Sequence, residues 1–242
     1  FEARRTEAAS RGKLRGIGFA NNIENAAGAG QEFAEITFDA EGNVTVAAGT
    51  TDHGQGHPTM YTIVVCDLLG ISPDKVKVIE GDTDAIENGS GTGGSRVSTM
   101  GSNAARIAAE GVIEKGKKIA AHLLEAATVD IEFDDGQFAV AGTDKRVSID
   151  EVAKAAHDPA NLPADIEPGL AELGRHESKA PNYPSGCHAC EVEIDQDTGQ
   201  VELVRYVGVS DCGRIINPKT FEGQVYGGIG QGAGQVLMES VL

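Results

Sequence analysis

The chain has 242 residues, 40% of them hydrophobic, enough apolar material for one large folded domain or two small ones. Its 20 Lys and Arg residues against 37 Asp and Glu give a formal net charge of -17, which repels a phosphate backbone over most of the surface and removes nucleic acid from the expected partners. Apolar runs break well before the ~20 residues a membrane helix needs, no basic start leads into an apolar core, and Cys66, Cys187, Cys190 and Cys212 are too few for a disulfide scaffold, so a cytoplasmic protein with free thiols and no membrane span is expected.

Residues 1–12 are charged and alanine-rich and read as the tail of a helix. Apolar and polar residues broadly alternate over 14–24 and 32–38, which predicts strands separated by the AAGAG break at 26–30. A hairpin turn at 39–43 and a return strand at 44–48 follow, then a polar loop, 49–58, closing on Pro58. Met60, Ile63, Val64 and Leu68 fall at helical spacing, Gly70 ends that helix and Pro73 stops it. Residues 75–80 alternate as a short strand, and 81–94 form a long loop of the kind more often functional than idle. Ser98 or Thr99 can cap the longest helix, which runs to about residue 127. Short strands at 131–133 and 137–140, a helix at 148–157 and a proline-bearing excursion at 158–168 come next. A second hairpin starts near Cys187, and the last helix runs from Pro218 to the end.

Two stretches follow one plan of polar-turn hairpin, glycine-bearing polar loop and proline-opened helix: AEITFDAEGNVTVAAGTTDHGQGHP at 34–58 and CEVEIDQDTGQVELVRYVGVSDCGRIINP at 190–218. The expected class is α+β, with two related hairpin-loop-helix units holding a ligand between them and a small inserted α/β module. The divisions are 1–130 for a first half, 131–180 for the inserted module and linker, and 181–242 for the start of a second half.

The loop at 49–58 lies where a strand ends and a helix begins, so backbone N–H groups left unpaired around Pro58 would attract an anion. Gly54 and Gly56 remove side chains from the path of a ligand, and Gln55 offers donor and acceptor to a heterocycle edge. A simple turn is the alternative. In GTGGSR, residues 91–96, flexible backbone is joined to the Arg96 guanidinium, which can bind phosphate bidentately or merely be solvated. Asn217 and Pro218 form a helix-start pair matching His57 and Pro58. GGIGQGAG at 227–234 gives up roughly 1 kcal/mol of helix propensity per glycine, which implies close approach by a cofactor or another helix. No G-x-x-x-x-G-K-S/T phosphate loop occurs, and no complete dinucleotide G-x-G-x-x-G follows a strand. Cys187 and Cys190 form a lone CxxC before an alternating strand and read as two small buried residues, while His53 and His57 flank a loop rather than share a helix face, so no metal ligands are assigned.

Taken together, DHGQGHPTMYTIVVCDLLGI, VIEGDTDAIENGSGTGGSR, EVEIDQDTGQVELVRYVGVSDCGRIINP and EGQVYGGIGQGAGQ resemble the molybdopterin-binding subunit of the xanthine dehydrogenase and aldehyde oxidase family, of the carbon monoxide dehydrogenase large-subunit type. The resemblance implies an oxidoreductase with molybdenum held by a molybdopterin, often in the cytosine dinucleotide form, that oxidises a small substrate (carbon monoxide, an aldehyde or an N-heterocycle) using water. Electrons would leave through iron-sulfur and FAD-binding partner subunits. Carried over by position, Gly54, Gln55, Gly56 and His57 would line the pterin or its pyrophosphate, and Gly94, Ser95, Arg96 and Ser98 the nucleotide end, with Cys212, Asn217 and Gln231 as candidates from the second half. The family's glutamate base sits in a G-x-G-E segment and its metal-facing loop in GGxFG; the chain has neither a Gly-Glu nor a Phe-Gly dipeptide, so no catalytic residue is assigned. An internal fragment, inactive alone, is the expectation. The rival readings are a non-catalytic relic or assembly module of the same fold, and a generic anion-binding domain.

Overall fold

The computed structural model describes residues 1–28 and 30–240. In chain order the elements are α1 (Glu2–Ser10), β1 (Lys13–Ile23), β2 (Gly30–Phe38), β3 (Val44–Ala48), α2 (His57–Leu69), β4 (Val76–Glu80), α3 (Ser102–Leu124), β5 (Ile131–Asp134), β6 (Gln137–Val140), β7 (Arg146–Ser148), α4 (Ile149–Ala156), β8 (Leu170–Ser178), β9 (Ser185–Asp195), β10 (Val201–Asp211) and α5 (Pro218–Leu237). They form two compact units, one of Ala27–Pro181 and one joining Phe1–Ala26 to Asn182–Leu242.

In the Ala27–Pro181 unit, β2 and β3 make the first hairpin, with Ile36 opposite Val46. Asp39 closes its turn by accepting from the N–H groups of Glu41 and Asn43 at 3.0 and 2.8 Å. β4 lies parallel to β3, and α2 supplies the crossover that a parallel pair requires. β8 pairs with β2 on the other side, giving the order β4-β3-β2-β8. Alternation turns Glu32, Ala34, Ile36 and Phe38 of β2 inward, where α3 lays Ala104, Ala105, Ala108, Ala109 and Val112 into the core. The alanines let the helix come very close: a Cβ on Gly174 of β8 would stand 2.5 Å from the Ala108 nitrogen. β8 escapes sequence reading because LAELGRHES has no period of two.

The small module expected near 131–157 is a β5-β6-β7 sheet leading into α4. Ser148 and Glu151 form a reciprocal capping box at the helix start, at 3.3 and 2.8 Å. The start of α3 departs from expectation. Residues 97–101 make a π-helical turn that runs straight into the helix, with no side-chain cap at Arg96 or Gly101 among the described residues. Here Ser98 contributes its carbonyl, which accepts from the Ser102 hydroxyl, and Thr99 O accepts from Asn103 at 2.7 Å.

In the other unit, β9 is the middle strand between β1 and β10, all antiparallel. Asp195 closes this hairpin with bonds to the N–H groups of Asp197 and Thr198, at 3.1 and 2.9 Å, the same device as Asp39 in the first copy. The odd-numbered face of β9 carries Glu191 and Glu193, which are met by Arg4 of α1, Arg11 just after it and Arg15 of β1. The even-numbered face carries His188, Cys190 and Val192 and lines a cleft of about 590 Å³ beneath α5. Cys187 and Cys190 therefore point to opposite faces of one strand; Cys187 is exposed and Cys190 half-buried, which corrects the expectation of two small buried residues.

α5 begins as the sequence indicates, with Asn217 accepting from the Lys219 and Thr220 N–H groups at 2.9 and 3.3 Å ahead of Pro218. Its run of glycines is not explained by a close neighbour among the described residues, where a Cβ on Gly227, Gly228, Gly230, Gly232 or Gly234 would meet nothing within 4 Å. Val241 and Leu242, the expected end of this helix, lie outside the described residues.

Candidate functional site

Because β3 and β4 run parallel with Ala48 opposite Glu80, their carboxyl ends open on the same edge of the sheet, and the loops that follow them emerge together. The glycine-rich loops are then laced to each other. Gly91 N–H donates to Gly49 O at 3.0 Å, Thr51 N–H donates to the Thr92 hydroxyl at 3.0 Å, and that hydroxyl donates to Thr51 O at 2.6 Å. Only glycine fits the crossing point, since a Cβ on Gly49 would lie 2.5 Å from Gly89 Cα and 2.7 Å from Asn88 O.

The N–H groups of the first loop are not open, contrary to expectation. Asp52 folds back so that Oδ1 accepts from Gly54, Gln55 and Gly56 at 3.1, 2.9 and 3.2 Å. Burial works to raise the Asp52 carboxyl, but the loop N–H groups and nearby His57 overcome it and hold it below its ordinary range. Gln55 Oε1 accepts from His53 N–H, which leaves the amide NH2 of Gln55 as its remaining donor. A Cβ on Gly54, Gly91, Gly93 or Gly94 would meet nothing within 4 Å, so these backbone faces are open to a ligand.

His57 opens α2, is 7% exposed, and places Nδ1 3.1 Å from Glu80 Oε1 at the end of β4. Thr50 donates to the same Glu80 oxygen. With its one proton committed, Thr50 must accept from Tyr61, whose hydroxyl lies 2.9 Å away. Burial pushes the Tyr61 hydroxyl far above its ordinary pKa, so it stays a donor. Thr50, Tyr61 and Glu80 are the residues the sequence reading missed. Their signal was faint: a carboxylate ending the alternating strand, and a tyrosine inside an apolar helical stripe.

Arg96 is turned inward. Its guanidinium lies 2.7 Å from the fully buried Glu32 carboxylate and donates to Gln31 O at 2.8 Å, so the expected phosphate fork is engaged within the protein. Burial raises the Glu32 carboxyl, against the Phe33 N–H and Arg96, which favour its charged form. Gly94 and the exposed Ser95 both take left-handed backbone, at φ +57° and +54°. Ser98 is exposed on the π-helical turn. In the other unit, Cys212 and Gln231 are exposed and the Asn217 side chain is used by its helix cap. Among the described residues no group of three or more His, Cys, Asp and Glu could hold a metal ion, and no helix is long and apolar enough to cross a membrane.

These loops therefore offer open glycine backbone, a carboxamide donor and one imidazole edge. Residues 49–58 and 88–96 contain no Lys, and their one Arg is engaged. That set suits the edge of a neutral, heteroatom-rich ring better than a bare phosphate. A family described as the molybdopterin cofactor-binding domain matches residues 1–242. The chain belongs to this family.

Among relatives of this molybdopterin cofactor-binding domain, the gamma subunit of the 6-hydroxypseudooxynicotine dehydrogenase complex of Paenarthrobacter nicotinovorans is 37% identical over 96% of the chain and 29% of its own length. The carbon monoxide dehydrogenase large chain of Hydrogenophaga pseudoflava is 36% identical over 82% of the chain and 24% of its own length. The crystal structure of quinoline 2-oxidoreductase from Pseudomonas putida 86 superposes with a TM-score of 0.89 at 34% identity, covering all of the chain and 32% of that one. The chain thus spans about a third or less of each of these proteins. The α+β class and the family resemblance read from the sequence both hold for this molybdopterin cofactor-binding domain.

Proposed function

We propose that the chain is the cofactor-holding part of the large subunit of a molybdenum hydroxylase. The observation that carries this reading is the pair of glycine-rich loops laced at the ends of β3 and β4, with open backbone faces beside the Gln55 amide and His57. When bound, the molybdenum cofactor would supply two-electron oxidation of a small substrate, carbon monoxide, an aldehyde or an N-heterocycle, with water as oxygen source. The protein's part at these loops is to bind and orient. Gly54 and Gly56 allow the pterin to reach the main chain, and Gln55 and His57 hydrogen-bond its edge.

In the cytosine dinucleotide form of the cofactor, Gly94 backbone and the exposed Ser95 and Ser98 hydroxyls would meet the nucleotide end. Arg96 serves there as a brace that holds the loop to Glu32 and Gln31. Iron-sulfur and FAD-binding subunits would take the electrons; relatives named as a complex subunit and as a large chain support a multi-subunit assembly.

The test is cofactor content. In the full-length subunit, Gln55→Ala should lower retained molybdenum and pterin together while the melting temperature of the cofactor-free protein stays unchanged. Cofactor content equal to that of the unaltered protein would overturn the reading.

A further inference from the structure

A neutral imidazole has one donor and one acceptor nitrogen, and whichever group takes the donor decides which nitrogen is left for a ligand. At His57 that group is Glu80, 3.1 Å from Nδ1. The other nearby carboxylate, Asp52, lies 4.0 Å from Nδ1 and already accepts three loop N–H groups. Among the described residues Nε2 has no hydrogen-bond partner, and it is not sealed from solvent.

Glu80 is itself held in place. Its side chain is 7% exposed, and Oε1 also accepts from Thr50, which in turn accepts from Tyr61. The Tyr61 hydroxyl packs so closely on Gly101, in the π-helical turn, that any Cβ there would strike it. Glu80 Oε2 is buried without a hydrogen-bond partner among the described residues. A buried carboxylate with one orphaned oxygen is poorly explained by packing, because an apolar side chain would fill the same space without leaving a polar atom unpaired.

We infer that Glu80 is a positioning residue: through Nδ1 it fixes the orientation and tautomer of the His57 ring, so that Nε2 is the nitrogen presented to the cofactor's ring edge. This rests on the reading of residues 49–58 as a cofactor cradle. Thr50 and Tyr61 form the relay that keeps the Glu80 oxygen on station, linking the loop, α2 and the end of β4. The arrangement is the one by which outer groups orient ligating histidines in other sites, where their loss typically weakens binding about 10–100-fold.

The experiment uses the full-length subunit in its assembled holoenzyme and reads retained pterin and molybdenum, with the melting temperature of the cofactor-free protein measured alongside. The terminal amide of glutamine reaches the Nε2 position of a histidine and that of asparagine the Nδ1 position. His57→Gln should therefore keep most of the cofactor and His57→Asn should lose about tenfold or more in retention. Glu80→Gln, which preserves an acceptor for Nδ1–H, should retain cofactor. Glu80→Leu should lose it, and should add nothing to the loss already caused by His57→Asn.

Equal retention in His57→Gln and His57→Asn, or an additive loss in the Glu80→Leu/His57→Asn double variant, would overturn the inference. So would retention that simply follows melting temperature across the set. If Gln55→Ala keeps full cofactor, the cradle reading fails; if Gln55→Ala loses cofactor while the two His57 variants behave alike, only the role of Glu80 fails.

Discussion

Replacing Arg96 with methionine keeps the aliphatic stem and deletes the guanidinium, which leaves the Glu32 carboxylate, fully buried, without the cation 2.7 Å away. Removing one partner of a buried ion pair costs about 3–5 kcal/mol. The low end applies, because the Arg96 side chain keeps 14% exposure and water can reach the gap. At ~2–4 °C per kcal/mol for a chain of this size, about 3 kcal/mol lowers the melting temperature by roughly 6–12 °C.

The pH dependence fixes the cause. Burial raises Glu32 above its ordinary value of 4.5, so its contribution favours the fold fully below that value and is lost as pH rises through the folded pKa. Deleting Arg96 raises the folded pKa further, so the penalty should be large at pH 8 and shrink toward pH 5. Thermal unfolding followed by far-ultraviolet circular dichroism at the two pH values measures this. Glu32→Gln in the Arg96→Met background should recover most of the loss, since it removes the stranded charge. An equal drop at both pH values, or a fall of under ~2 °C at pH 8, would refute the account of Arg96 as an internal counter-ion.

Gly49→Ala should push the two loops apart, because the new methyl would lie within 2.5–2.7 Å of Gly89 Cα and Asn88 O; overpacking of this kind costs about 1–3 kcal/mol, and protection of the Gly91 amide, which bonds to Gly49 O, should fall in hydrogen exchange. If that amide exchanges as slowly as before, the loops are not held by this crossing. In the other unit, hydrogen bonding from Arg4, joined by Arg15, holds Glu191 at about 2. Its contribution is therefore present above the ordinary value of 4.5 and lost as pH falls from there to about 2. The melting-temperature penalty of Arg15→Met should follow, full at pH 7 and fading across that acid window, on the opposite side of 4.5 from the window of Glu32. A penalty that stays constant to pH 2 would show that Arg15 acts by packing alone.

The elements that sequence made legible were those with local signals. Both hairpins carry an aspartate that closes the turn, both helices after the polar loops open with a proline, and Ser148 with Glu151 spells out a capping box. What stayed hidden depends on partners far along the chain. β8 is a strand because β2 offers it an edge, although its own letters do not alternate. Likewise β1 gave no sign that it pairs with β9, 187 residues from Arg4 to Glu191 at the ion cluster that fastens α1. At the candidate site, the glycine-rich character of the loop at 49–58 and its place between a strand and a helix were legible, because both are local to the sequence. The self-bonding of Asp52 and the inward turn of Arg96 were not, since each depends on which acceptor or anion the fold places within reach. Glu32 was the available clue: its even-numbered position continues the inward face of β2 and so calls for a buried cation.

Asp52 gives the loop an anion of its own. Three amides are organised around Oδ1, so the loop holds its shape by its own hydrogen bonds. In the proposed cradle role, little chain ordering would then remain to be done on binding, which would favour rapid seating of a rigid polycyclic guest over folding around a floppy one. In that role the carboxylate would also repel a phosphate from these amides, so a phosphorylated guest should enter ring first.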